Sequence, residues 1–225
     1  MIWLCGDTHG RSDIFKAIDF FQHTKATKDD YLIILGDAAV CWRKGVGDEI
    51  TKDMLSKLPC TVLWLDGNHE NFDEISTYPV SEWNGGKVQC IREDIIHLMR
   101  GQVYEIEGKT FFTFGGGLSI DKAWRTPGKS WWAEEMPSKE EYEEGNKNLA
   151  RVGHKVDYVL THTCPRHVAP KLVENVMPGE EELQDYFEGI SQKIEYREWF
   201  FGHWHVDWKE GKFRALWNEI AELKN

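Results

Sequence analysis

The stretch "YLIILGD", residues 31 to 37, is an apolar run closed by a glycine and an aspartate. The pattern recurs. "MIWLC" runs into Gly6-Asp7, "TVLWL" into Asp66-Gly67-Asn68-His69, "DYVLT" into His162, and "WFF" into Gly202-His203. Each run is short and bounded by turn formers, which predicts buried strands in preference to helices.

Helical patterns lie between several of these runs. In "SDIFKAIDFFQH" the residues Ile14, Phe15, Ile18 and Phe21 share a face, with Ser12 or Asp13 placed to cap it. "GDEITKDMLSKL" repeats the pattern with Ile50, Met54, Leu55 and Leu58. Ser138 followed by Glu141 is a capping box opening a helix to residue 151, and a further helix is predicted from about Glu180 to Lys193. Residues 87 to 114 have a different texture, a meander of strand-like pieces with a hairpin around Glu107-Gly108. A second hairpin is predicted around Glu210-Gly211. Alternation, then meander, then alternation predicts an α/β chain with strands in two packed sheets and helices outside. No repeat or domain-sized linker interrupts it, so residues 1–225 are expected to form a single domain.

Hydrophobic residues make up 41% and charged residues 29%, a balance that builds a globular core. No apolar stretch approaches the ~20 residues that span a bilayer, and "MIWLCGDTHG", without a basic n-region or a long h-region, is not expected to be a signal peptide. The expectation is a cytoplasmic protein without a membrane partner. A net charge of −11 argues against long nucleic acid, whose binding rests on many Lys and Arg contacts to phosphate. It leaves room for a small phosphorylated substrate. The five cysteines are widely spaced with no C-x-x-C, and are read as reduced, mostly buried thiols.

The strand ends carry a set of polar residues: Asp7-x-His9, Asp37, Asn68-His69, His162 and His203-x-His205. Ligands collect beyond the carboxyl ends of strands in α/β sheets. Carboxylate, amide and imidazole donors suit Mn, Fe, Zn, Ni or Co rather than a thiolate site. Residues i and i+2 of an extended segment point the same way, so Asp7 and His9 can grip one ion. His203 and His205 can share an ion or reach two neighbouring ones.

As an ordered set these residues resemble the calcineurin-like metallophosphoesterases. The family pattern D-x-H, G-D, G-N-H-[DE], H and G-H-x-H stands here as "GDTHG" (6–10), "GD" (36–37), "GNHE" (67–70), "TH" (161–162) and "GHWH" (202–205). The resemblance implies a two-sheet β sandwich flanked by α-helices. It implies two divalent metal ions, Mn²⁺ foremost, with Asp7, His9, Asp37 and His205 on the first and Asp37, Asn68, His162 and His203 on the second. Asp37 would bridge them, and His69 would stand beside the phosphate, stabilising charge or donating a proton. It further implies hydrolysis of phosphate mono- or diesters by in-line attack of a hydroxide shared between the metals.

The chain departs from the fuller family pattern G-D-x-x-D, with Val40 where a second acidic residue supports the catalytic histidine. Glu70 is the candidate substitute. Candidate substrate contacts are Asn68, His69, Arg11 and Arg125. Lys122 and Lys129 join Arg125 in the long segment 115–137, whose tryptophans Trp124, Trp131 and Trp132 either stack on substrate or pack on the sandwich. Trp64 and Trp217 are expected in the core. Two other readings stand beside the phosphoesterase: a nuclease or phosphodiesterase acting on short or cyclic nucleotides, and a non-catalytic scaffold on the same fold.

Overall fold

A computed structural model describes residues 1–176 and 178–223. In chain order the elements are β1 (Ile2–Cys5), α1 (Phe15–Phe21), β2 (Tyr31–Ile34), α2 (Val46–Ser56), β3 (Thr61–Trp64), α3 (Phe72–Ile75), β4 (Val80–Trp83), β5 (Gly86–Arg92) and β6 (Ile95–Leu98). Then follow β7 (Gln102–Ile106), β8 (Lys109–Phe114), α4 (Lys139–Arg151), β9 (Tyr158–Thr161), α5 (Glu181–Lys193), β10 (Glu198–Phe201), β11 (Trp208–Glu210), β12 (Phe213–Ala215) and β13 (Ile220–Leu223). The first sheet runs β13-β1-β2-β3-β6-β5-β4 and the second β11-β12-β10-β9-β8-β7.

The apolar runs lack polar alternation because both faces of their strands are covered. Ile33 of β2 sits in register between Leu4 of β1 and Leu63 of β3. These side chains meet Phe111, Leu160 and Phe200 of the second sheet in one core between the sheets. Their neighbours Trp3, Leu32, Ile34 and Trp64 point the other way, against α1 and α2. On the far side Phe112, Phe114, Val159 and Trp199 pack against α4 and α5. The result is helices, sheet, sheet, helices, as the sequence predicts.

Strands β1, β2, β3 and β6 are parallel, as are β8, β9, β10 and β12. Successive strands of each set therefore end on the same rim, which brings their trailing polar clusters together. Both predicted hairpins form, as β7–β8 and β11–β12. No helix among the described residues is long and apolar enough to cross a membrane.

Three helix details differ from the expectation. The capping box is present at Ser138, but α1 starts at Phe15 with Ile14 as an N-cap that offers no side-chain bond. Asp13 is engaged by His9 instead. Phe15 and Ile50 are exposed; the buried face of α1 is made by Ala17 and Phe21, and Leu55 is the apolar residue buried on α2. Trp64 is core, whereas Trp217 is only half-buried and stacks on His205 with ring centroids 4.1 Å apart. All five cysteines are free and four are buried.

Candidate metal centre

Every candidate ligand lies within four residues of a strand's end: Asp7 and His9 after β1, Asp37 after β2, Asn68 after β3, His162 after β9, and His203 and His205 after β10. The turns that follow are tight. His9, Asp37, His203 and His205 all have positive φ, between 42° and 67°, a conformation that non-glycine residues adopt at some energetic cost and that clusters at functional sites. The expected extended i, i+2 geometry is therefore absent. Convergence comes from left-handed turns.

The glycines in front of the clusters serve close approach. A Cβ at Gly67 would lie 2.6 Å from the Asp37 backbone nitrogen and 2.7 Å from His162 Nε2. One at Gly202 would press on the Asp7 carboxylate and the Leu35 carbonyl.

Donor atoms of Asp7, His9 and His205 lie within 4.8 Å of one another, as do those of Asp7, Asp37 and His162. The two oxygens of Asp37 face different partners. Oδ2 is 3.6 Å from His9 Nε2, and Oδ1 is 3.5 Å from His162 Nε2. Asp7 Oδ2 is 3.1 Å from His205 Nε2. Asn68 Oδ1 is 3.1 Å from His162 Nε2. His203 and His205 diverge: the first lies beside His162, with ring centroids 4.9 Å apart, and the second beside Asp7. The pair reaches two neighbouring positions rather than one.

Three of the imidazoles have a partner at their other end. His162 Nδ1 donates to the Leu35 carbonyl at 2.7 Å, so in the neutral ring Nε2 is the lone-pair nitrogen. His9 Nδ1 is 2.8 Å from Asp13 Oδ2. His203 Nε2 is 3.4 Å from Glu180 Oε1. The Asn68 amide nitrogen donates to Ser119 Oγ at 3.2 Å, which turns its carbonyl oxygen inward. Sequence reasoning missed Asp13, Glu180 and Ser119. Only Asp13 left a local signal, four residues beyond His9 on the same turn.

These residues fit divalent cations. Asp7 and Asp37 are almost completely buried, yet among the described residues their ion-pair partners are all histidines. Burial works against their ionisation. The nearby imidazoles, His162 foremost, together with hydrogen bonds, hold both pKa values below the usual carboxylate range. Two buried carboxylates held below the usual range among nitrogen and amide donors suit a cation cage better than a closed salt bridge.

His69 lies beside the cage. Its backbone N–H donates to Asp37 Oδ1 at 2.8 Å, and its Nε2 is 3.8 Å from Asp37 Oδ2. Glu70 does not orient its ring: Glu70 is buried and accepts from the Ala38 backbone N–H at 3.0 Å. Arg125 takes that place, donating from Nη2 to His69 Nε2 at 3.1 Å, while Trp42 packs on the same ring at 5.0 Å. Of the cations and tryptophans of the long segment, Arg125 thus reaches the site. Lys122 lies over Trp131, Trp132 is buried and donates to Asp73, and Trp124 is 92% exposed. Arg11 lies outside the cage, on the wall of an adjoining cavity.

A calcineurin-like phosphoesterase family model matches residues 1–207, and the chain belongs to that family of dimetal enzymes. A search of curated proteins found no match. Among solved structures, a phosphopantetheinyl hydrolase from Mycobacterium tuberculosis is similar, with a TM-score of 0.50 and 18% identity over 96% of this chain and 89% of that one. At that identity the likeness concerns the fold.

Proposed function

We propose that the chain hydrolyses phosphate mono- or diesters of small molecules using two divalent cations, manganese foremost. Asp7, His9, Asp37 and His205 hold one; Asp37, Asn68, His162 and His203 hold the other. The observation that carries this reading is Asp37, buried, with one oxygen turned to His9 and the other to His162. When bound, the cations supply a water acidic enough to attack near neutral pH and neutralise the phosphoryl oxygens.

The protein's own share is orientation and charge. Asp13, the Leu35 carbonyl and Glu180 hold the imidazoles, and Ser119 holds the Asn68 amide. His69 and Arg125 flank the space where phosphate would sit. A guanidinium only donates, so its bond to His69 Nε2 puts the proton of the neutral ring on Nδ1. An arriving phosphoryl oxygen competes for the same guanidinium N–H groups, and Arg125 is well placed to stabilise the charge that develops there.

The test is direct. Purified protein with Mn²⁺ is expected to hydrolyse p-nitrophenyl phosphate or bis-p-nitrophenyl phosphate, and Asp37→Asn to abolish it. A wild-type protein inert towards both, and towards nucleotide and phosphopantetheine esters, across Mn, Fe, Zn, Ni and Co, refutes the reading.

A further inference from the structure

Three adjoining cavities make one groove across the candidate metal centre. The first, about 440 Å³, opens on His69 and His203 and is walled by Leu118, Ile120, Val173 and Trp204. The middle one, about 420 Å³, shares His69, Asp121 and Arg125 with the first. It shares His9, Trp42 and Arg43 with the third, about 500 Å³, which continues past Arg11 and Lys44 to Thr51.

The ends of this groove are chemically opposite. Among the described residues Arg125 is the one Lys or Arg lining the first cavity, and its Nε is held by Asp121 at 2.7 Å. Glu180 lines it too, with its oxygens taken by the Leu118 N–H, the Thr163 hydroxyl and the Gln184 amide, so that end offers an anionic group no free side-chain cation. At the far end Arg11, Arg43 and Lys44 are exposed, and none forms an ion pair among the described residues. The acidic residue beside them is already occupied. Asp48 Oδ2 accepts the backbone N–H groups of Trp42, Arg43 and Lys44 at 2.7, 3.0 and 3.0 Å, which pins the loop carrying two of the cations to the groove wall. In a chain of net charge −11, three cations without carboxylate partners concentrate positive potential on one wall.

We infer, resting on the phosphoesterase reading above, that the substrate is a phosphodiester laid along this groove. One arm is uncharged and largely apolar and lies towards Leu118, Ile120, Val173 and Trp204. The other carries a second anionic group, a phosphate or carboxylate, and lies towards Arg11, Arg43 and Lys44. A monoester occupies one side of the groove and leaves the other to water. Hydrolysis breaks the bond between phosphorus and one ester oxygen. The oxygen of water joins phosphorus, one proton goes to the departing alcohol and the other to the monoester product or solvent.

The test compares p-nitrophenyl phosphate, p-nitrophenyl butyl phosphate, and the same diester with a terminal phosphate on the butyl chain, all with Mn²⁺-loaded enzyme. The terminal phosphate is expected to raise kcat/KM about 10-fold over the plain diester, chiefly through KM and less so at high salt. The triple variant Arg11→Ala, Arg43→Ala, Lys44→Ala is expected to erase that ratio, and Val173→Asp to weaken both diesters. No gain from the terminal phosphate, equal losses on both diesters in the triple variant, or the highest kcat/KM on the monoester overturns the groove assignment while leaving the phosphoesterase reading intact. Failure to hydrolyse any of the three under any metal overturns both.

Discussion

Gly67 offers the sharpest probe of the cage, because one methyl group there collides with both halves of it. An alanine Cβ would sit 2.6 Å from the Asp37 backbone nitrogen and 2.7 Å from His162 Nε2, and closer still to Asp37 Oδ1. Real Cβ atoms essentially never come within 3.0 Å of a neighbour, so the nitrogen must retreat by about 0.4 Å and the imidazole by about 0.3 Å at least. Both exceed the ±0.2 Å within which metal–ligand distances hold, and the residues disturbed are the proposed bridging carboxylate and a proposed ligand of the second metal. Disturbing one oriented ligand typically lowers metal affinity by about 10–100-fold; two together predict roughly 10²–10⁴-fold. Overpacking adds about 1–3 kcal/mol of destabilisation. Mn²⁺ titration calorimetry on metal-free Gly67→Ala, with circular dichroism to confirm the fold, measures this. Gly47→Ala is the control, since nothing lies within 4 Å of its added Cβ. Two manganese ions bound by Gly67→Ala with wild-type affinity would refute the proposed ligand set.

Ser119→Ala should free the Asn68 amide and weaken the second metal position by about 10-fold, visible as a split between two binding steps in the same titration. Glu135 gives a pH signature: burial raises its pKa to about 7, against hydrogen bonds from Ser119 that lower it. A carboxyl raised from about 4.5 in the unfolded chain makes its full contribution below pH 4.5 and loses it as pH climbs to 7, on the order of 3 kcal/mol. The difference in melting temperature between wild type and Glu135→Gln, both metal-free, should therefore grow in favour of the variant across pH 4.5 to 7 and stay flat above. A constant difference would show that the carboxyl does not titrate in that window.

Much of the architecture was legible in local pattern. A strand covered on both faces needs a short, unbroken apolar run, and "YLIIL", "TVLWL" and "WFF" state it outright. The capping box at Ser138 and the two hairpins are equally local, requiring only a few neighbouring residues. Helix faces were read less well. Ile14, Phe21, Leu55 and Leu58 are buried as expected, yet Phe15 and Ile50, which fit the same stripes, face solvent, and Ala17 lies inside instead.

The sequence alone also determined which residue types gather at the centre, because each donor sits within four residues of a strand's end and parallel strands must end on one rim. Only the tertiary structure decided how those donors are held. Ser119 reaches Asn68 across 51 residues and Arg125 reaches His69 across 56. With Val40 in place of a carboxylate, the partner of His69 came from a distant loop, and Glu70, its neighbour in sequence, turned to the Ala38 backbone instead. Periodicity and turn chemistry act over a few residues. Contacts between side chains brought together by chain closure depend on where the loops travel, and no short stretch of sequence encodes that.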